Sequence, residues 1–198
     1  MKHILRNAAA ATLVIGLGVL IVGYAIRGGV PRAFLDARIR AAGAANNMAV
    51  LINNSIGNLS QIEQFEKNKS YDQALALLRL EVSQKQEKQL AGVLLATNLE
   101  EMAKVATTIT SGGARNLALE GVTTGVSMVS RMVSYNTTLD QIFALIEAKI
   151  EDSGAPQEVG MRELISSINS DARAINELNK SFNETLKKLD SRYGSDEE

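Results

Sequence analysis

Paired carboxylates are the residues of this chain whose type and spacing suggest chemistry. A di-iron bundle uses glutamates on facing helices, but it also needs two Glu-x-x-His motifs, and the sequence has neither. The single histidine, His3, lies near the start of the chain, so carboxylates alone would have to hold a zinc ion. We interpret the acidic groups as solvated helix faces and predict no metal and no cofactor. These groups are Glu100-Glu101, Glu147 with Glu151, and Glu158 with Glu163.

Composition excludes several further classes of function. The chain has no cysteine, which removes disulfides, thiolate chemistry and lipid-modified cysteine. A formal net charge of −1 gives no basic footprint for nucleic acid. Neither a phosphate-binding loop nor a dinucleotide-binding glycine motif is present. We therefore do not expect an enzyme.

One polar heptad is the first candidate for a contact with another protein. It is a run of seven polar residues inside a helical pattern, with no apolar face of its own. It is either a solvated stretch of helix or the place where a partner binds. In both cases we expect charge reversal at its two lysines to leave stability nearly unchanged. The polar heptad is Ser83, Gln84, Lys85, Gln86, Glu87, Lys88 and Gln89.

Polar residues on otherwise apolar or small-residue faces give an alternative hypothesis. They could hold a small molecule between helices, as in a sensor-like ligand-binding domain. A pocket between helices lined by several of them would favour this alternative, whereas a solid core with conspicuous surface patches would favour a protein-binding bundle. The residues are Asn46, Asn53, Thr123, Thr124 and Asn136.

Four breaks divide the chain after the first 30 residues into helical segments. Pro31 and Pro156 each follow glycine-containing linkers, and proline is favoured in the first helical turn, so both predict helix starts. The polar residues 67–69 lead into Ser70–Gln73, a capping-box pattern. Ser111-Gly112-Gly113 predicts a helix stop. The predicted helices are 32–66, 70–110, 114–152 and 156–192.

Segments of similar length joined by short links predict an antiparallel bundle. As helices they would each be about 50–60 Å long, which favours an up-down-up-down four-helix bundle. A seam of alternating three- and four-residue steps supports the fourth segment: Met161, Ile165, Ile168, Ala172, Ile175, Asn179, Phe182, Leu186 and Leu189. The stripe predicted for the second segment is less regular: Leu75, Leu78, Val82, Val93, Leu94, Met102, Ala103 and Ile109.

The uncharged stretch Ala8–Ile26 predicts a transmembrane helix. Its length can cross a bilayer core of about 30 Å, and it ends without the small-x-small motif of a cleavable signal. The expected fold is therefore all-α, with one N-terminal membrane helix followed by the bundle. We divide the chain into an anchor (1–27), a linker (28–31), the bundle (32–192) and a disordered acidic tail (193–198).

These features together favour a membrane-anchored structural or adaptor protein that contacts another protein or a second copy of itself. We expect a single-pass protein of a bacterial inner membrane. A short basic leader favours export of the bundle, whereas arginines after the anchor, such as Arg27 and Arg32, favour the opposite orientation. We favour the exported orientation, and the arginines keep the opposite one open.

Overall fold

The structure, a computed structural model, describes residues 30–151 and 158–193. They form four α-helices, and this part of the chain contains no strand, as expected: α1 (Arg32–Lys67), α2 (Tyr71–Ala106), α3 (Gly112–Glu151) and α4 (Glu158–Tyr193). Within the described ranges, no helix combines the length and hydropathy that crossing a membrane requires. The predicted anchor Ala8–Ile26, Pro156 and the tail after Tyr193 lie outside the described residues.

The break between α1 and α2 lies where the sequence predicts it, but a different motif closes it. The Ser70 N–H donates to Phe65 O (2.8 Å) and the Lys69 N–H to Glu66 O (3.1 Å), which is the bond pattern of a Schellman motif. Lys69 occupies the left-handed position, with φ 58°. Ser70 precedes α2 without a side-chain capping bond, so the predicted capping box does not form. Backbone groups therefore end α1.

The link between α2 and α3 differs from its prediction. α2 ends at Ala106, and Ile109 in the link is buried in the core. The predicted helix stop, Ser111-Gly112-Gly113, instead begins α3. The Ala114 N–H donates to Ser111 Oγ (3.4 Å), so the serine hydroxyl caps the start of the helix. Both glycines lie inside the first turn of α3.

The helices pack as an antiparallel four-helix bundle. Ion pairs mark the register: Lys85 of α2 lies 3.3 Å from Asp140 of α3, and Arg131 of α3 lies 3.1 Å from Asp171 of α4. The α1–α2 and α3–α4 hairpins pack most extensively, and α2 packs on α3. The seam between α1 and α4 is the most open of the four. The Arg38 guanidinium crosses it to Asp190 at 2.8 Å.

The core confirms the predicted α4 seam and corrects the predicted α2 stripe. Ile165, Ile168, Ala172, Ile175, Leu186 and Leu189 are all buried. In α2 the exposed residues include Val82, Val93 and Leu94, which the predicted stripe placed inside. The buried residues of α2 include Leu78 and Met102, as predicted, and also Glu81, Lys88, Ala91, Leu95 and Leu99, which the stripe does not contain. Two charged side chains, Glu81 and Lys88, take core positions, although Lys88 belongs to the heptad that the sequence predicts to be solvated or in contact with a partner.

Candidate binding cleft

A cleft of about 480 Å³ opens between α2 and α3. This volume lies in the range of small-molecule sites, about 300–1,000 Å³. Buried residues, Met48 and Lys88, form its floor, and exposed residues form most of its rim. The full lining is Met48, Lys85, Lys88, Gln89, Val133, Asn136, Thr137, Asp140, Gln141 and Ala144. We refer to it as the α2–α3 cleft.

A second cavity, where all four helices meet, is much smaller. It measures about 30 Å³ and is lined mainly by alanines and leucines, with Arg38 and Asn183 among its polar residues. That volume holds about one water molecule. The α2–α3 cleft is therefore the larger and more polar candidate.

A buried ion pair supports the floor of the α2–α3 cleft. The Lys88 ammonium donates to Glu81 Oε2 at 2.5 Å, and their side chains are only 3% and 1% exposed. Ser55 of α1 donates to the same carboxylate oxygen at 2.8 Å, and the Asn58 amide donates to Oε1. Lys88 Nζ also lies 5.8 Å from the centroid of the Phe143 ring, within cation–π range. The carboxylate and the ammonium thus compensate each other in the core.

This arrangement corrects the expected solvation of the polar heptad. Lys88 is a core residue, so the expectation that reversing the charge of both lysines leaves stability unchanged is wrong for this position. A glutamate there would place a second buried carboxylate beside Glu81 without a compensating cation. Lys85 is exposed and bridges to Asp140, so the original expectation stands only for Lys85.

Asn136, one of the residues that line the α2–α3 cleft, has an unpaired polar atom. Its side-chain Oδ1 is buried and has no hydrogen-bond partner among the described residues. Such an acceptor loses its hydration without a replacement bond, which costs free energy. Asn136 is also the one member of the predicted ligand set that lines this cleft.

The other members of that set lie elsewhere. Asn46, Asn53 and Thr123 are exposed and do not line the cleft. The hydroxyls of Thr123 and Thr124 donate to carbonyls of their own helix, Leu119 O and Glu120 O, at 2.9 and 3.0 Å. The structure therefore brings Asn136 together with Lys85, Lys88 and Gln89 of the polar heptad, rather than with its predicted companions.

Several residues that line the cleft are not predicted from the sequence. Thr137, Asp140 and Gln141 follow Asn136 within two turns of α3 and line the same cleft. In an antiparallel pair the sum of facing residue numbers is nearly constant. Once Lys85 is aligned with Asp140, the polar heptad faces this stretch of α3. The sequence shows that both stretches are polar. It does not show the register of α2 against α3 that places them opposite each other.

The solvent-exposed part of α2 carries large apolar side chains. Leu80, Val82, Leu90, Val93 and Leu94 are between 45% and 67% exposed. We call these five residues the outward face of α2. Val82 and Val93 are separated by about three helical turns and lie on the same side. Ser83, Gln86 and Glu87 of the polar heptad, also exposed, lie between the two apolar groups in sequence.

A second polar cluster joins α3 to α4. The Asp171 carboxylate is buried and accepts bonds from Arg131 Nη1 at 3.1 Å and Ser134 Oγ at 2.7 Å. Burial raises the pKa of the neighbouring Tyr135 phenol well above its ordinary value, and the negative charge of Asp171 raises this pKa further. We interpret this cluster as structural, because each carboxylate oxygen has a donor.

No protein-family profile, curated protein or solved structure shows significant similarity to this chain. A helical bundle by itself supports many functions. The two surfaces of α2 are the features of this bundle that suggest a function.

Proposed function

We propose that this chain is a membrane-anchored helical-bundle adaptor that binds another protein along the outward face of α2. The observation that supports it is the exposure of this face, where Leu90 is 67% exposed and Val93 62%. Grouped apolar side chains on a surface mark sites of interaction. Burying them removes apolar area from water, at about 25 cal/mol per Å².

The shape of this face suits a partner helix. Leu80 and Leu94 are separated by about 21 Å along a helix that rises about 1.5 Å per residue. An amphipathic helix presents apolar anchors at matching intervals, so it can lie along α2. The exposed polar heptad residues Ser83, Gln86 and Glu87 would then give the contact its specificity. A second copy of the chain, presenting its own α2, has the same chemistry.

Two parts of the proposal, the membrane anchor and the cellular location, are supported by the sequence alone. The uncharged length of Ala8–Ile26 supports a single-pass protein of a bacterial inner membrane. We retain the exported orientation of the bundle as part of the proposal. Protease protection of the bundle in intact spheroplasts would contradict that orientation.

Crosslinking and affinity capture from native membranes tests the adaptor proposal. The test variant is Leu90→Glu combined with Val93→Glu, and the matched control is Val50→Glu, which changes a valine of α1 that is 48% exposed. We expect the α2 variant to lose a crosslinked band that wild type and control retain, with unchanged unfolding midpoints. Sedimentation of the purified chain then separates a second copy from a different partner. Retention of every band by the α2 variant would contradict the proposal.

A further inference from the structure

One exposed face of α1 carries no charge. Residues 41–62, about six helical turns, contain no Asp, Glu, Lys or Arg. The exposed side of α4, by contrast, carries charges such as Arg173, Glu177 and Lys180. Depletion of charged residues is a compositional mark of the core of a protein interface. The exposed residues between positions 41 and 60 form what we call the uncharged face of α1: Gly43, Asn46, Asn47, Val50, Asn53, Asn54 and Gly57.

The uncharged face of α1 is symmetric about Val50, which is 48% exposed. Because seven residues are nearly two helical turns, Gly43, Val50 and Gly57 lie along one line of the helix. The pairs Asn46-Asn47 and Asn53-Asn54 flank Val50, with one asparagine of each pair on each side of that line. A two-fold contact between copies uses the same surface patch on both, so the patch must be self-complementary.

Asparagine side chains can supply this self-complementarity, because an amide has both donors and an acceptor. Among the described residues, none of the four asparagines of the uncharged face has a hydrogen-bond partner. When two copies of α1 face each other in parallel, each flank meets the opposite flank of the second copy. Asn46 then lies opposite Asn47 of the second copy, and Asn53 lies opposite Asn54. No like charges oppose each other along this face.

The two glycines of the uncharged face are not explained by packing within the bundle. A Cβ at Gly43 or at Gly57 would meet nothing within 4 Å. Glycine nevertheless destabilises the interior of a helix relative to alanine. Its missing side chain allows another backbone to approach closely, so a second helix along this line gives both glycines a role.

We propose that two copies of this chain form a parallel dimer through the uncharged face of α1, with Val50 on the two-fold axis. The parallel orientation rests on the anchor of the proposed function, because both N-termini must then face the same membrane. A contact along one helix is smaller than the about 800 Å² per partner of a standard interface. The anchors compensate by holding the copies at a high effective concentration. The outward face of α2 is not part of this contact.

Disulfide crosslinking of the full-length chain in native membranes, with copper phenanthroline as the oxidant, tests the dimer. The chain has no cysteine, so a single introduced cysteine reports one position. Val50→Cys and Gly57→Cys should each link to the same residue of a second copy, because a disulfide needs Cα atoms within about 7 Å. Val126→Cys is the matched control, at a valine of α3 that is 52% exposed, and should stay unlinked.

Charge substitution at the axis gives a second test, with Gly57→Cys as the reporter in every chain. Val50→Glu should lower the crosslinked fraction about tenfold, because it juxtaposes two like charges in every dimer. Val50→Lys should do the same for the same reason. Co-expression of the two should restore crosslinking between differently tagged chains, which requires that residue 50 meets residue 50 of the second copy. Circular dichroism verifies that each variant is helical.

Several outcomes would overturn the dimer. They are the absence of crosslinking at Val50→Cys, equal crosslinking of Val126→Cys, and no recovery when the Val50→Glu and Val50→Lys chains are co-expressed. Crosslinking of Val50→Cys without Gly57→Cys would indicate an antiparallel pair and would also contradict the proposal.

The same variants keep this test separate from that of the adaptor proposal. Val50→Glu should retain the partner band that Leu90→Glu with Val93→Glu loses. The α2 variant should in turn retain the disulfide at Gly57→Cys. Loss of that disulfide in the α2 variant, with its retention in Val50→Glu, would place the second copy on α2 and overturn the α1 dimer.

Discussion

Glu81 and Lys88, two turns apart on α2, form an ion pair inside the core with a contact of 2.5 Å. Each charge loses its hydration there, and desolvation costs several kcal/mol per ion unless the partner charge and further hydrogen bonds compensate. Ser55 and Asn58 of α1 supply those bonds to the carboxylate. The pair therefore ties the α1–α2 hairpin together at one register.

Removing one charge of this pair should strongly destabilise the fold. Lys88→Met keeps most of the side-chain volume but leaves the Glu81 carboxylate buried without a cation. We expect a loss of about 3–5 kcal/mol in the free energy of unfolding, the usual cost of breaking a buried pair. Urea denaturation followed by circular dichroism measures it.

Lys85→Met is the matched control, since it makes the same change three residues earlier at an exposed position. Its pair with Asp140 is worth at most about 1 kcal/mol, because water and salt screen exposed pairs. Equal losses for the two variants would contradict the structural role of Lys88.

The unpaired amide oxygen of Asn136 predicts a stabilising substitution. A buried acceptor without a donor costs about 1–3 kcal/mol, so Asn136→Leu should raise the stability of the ligand-free chain. Asn53→Leu corrects for the gain in helix propensity, because this asparagine is exposed in α1. The measurement is the thermal unfolding midpoint of each of the two variants, without added ligand. A lower midpoint for Asn136→Leu than for its control would show that the oxygen has a partner in solution.

Two helix-interior glycines should respond in opposite directions to alanine. A Cβ at Gly57 meets nothing within 4 Å, so Gly57→Ala should stabilise α1 by about 1 kcal/mol through helix propensity. A Cβ at Gly125 would lie 2.8 Å from Leu99 Cδ2, and Leu99 is buried. Overpacking costs about 1–3 kcal/mol, so Gly125→Ala should be destabilising. Relative to wild type, the urea midpoint should rise for Gly57→Ala and fall for Gly125→Ala. A shift of both midpoints in the same direction would contradict this packing.

Tyr135 should limit stability at high pH. Its pKa is raised in the folded state above the unfolded value of about 10. The stability from the neutral phenol is therefore complete below about pH 10 and is lost as the pH rises above it. Tyr135→Phe should reduce this alkaline loss, and Tyr71→Phe, at an exposed tyrosine, should not. Tyrosinate absorbance and helicity recorded together measure the effect. Ionisation of Tyr135 near pH 10 in a fully helical chain would contradict it.

The parts of the fold that the sequence predicts correctly have regular, local signals. The heptad spacing of Ile165, Ile168 and Ile175 identifies the buried face of α4, and all three are in the core. The polar break before Ser70 also ends a helix where expected. Ser111-Gly112-Gly113 was misinterpreted, since serine and glycine occur at both ends of helices and the capping bond to Ala114 decides between them.

The α2–α3 cleft required information that no local pattern contains. Leu94 and Leu95 are adjacent and equally apolar, yet only Leu95 is buried, because the face of α2 is set by its neighbours. Lys88 reaches a core position through its pairing with Glu81, which hydropathy patterns do not register. Asn136 of the predicted ligand set lines the cleft, but the residues that line it beside Asn136 depend on the register of α2 against α3.

The open seam between α1 and α4 has a consequence for how the molecule unfolds. Contacts within each hairpin connect helices that are adjacent in sequence, whereas contacts across the α1–α4 seam connect the first helix of the bundle to the last. The α1–α2 hairpin is therefore a natural cooperative unit, able to separate from α3–α4 at a free energy below that of global unfolding. Backbone amides of α1 and α4 along this seam would exchange with solvent through such partial openings. Apart from this seam, most contacts join residues that are close in sequence. Such a fold has a low contact order, which is associated with folding in microseconds to milliseconds.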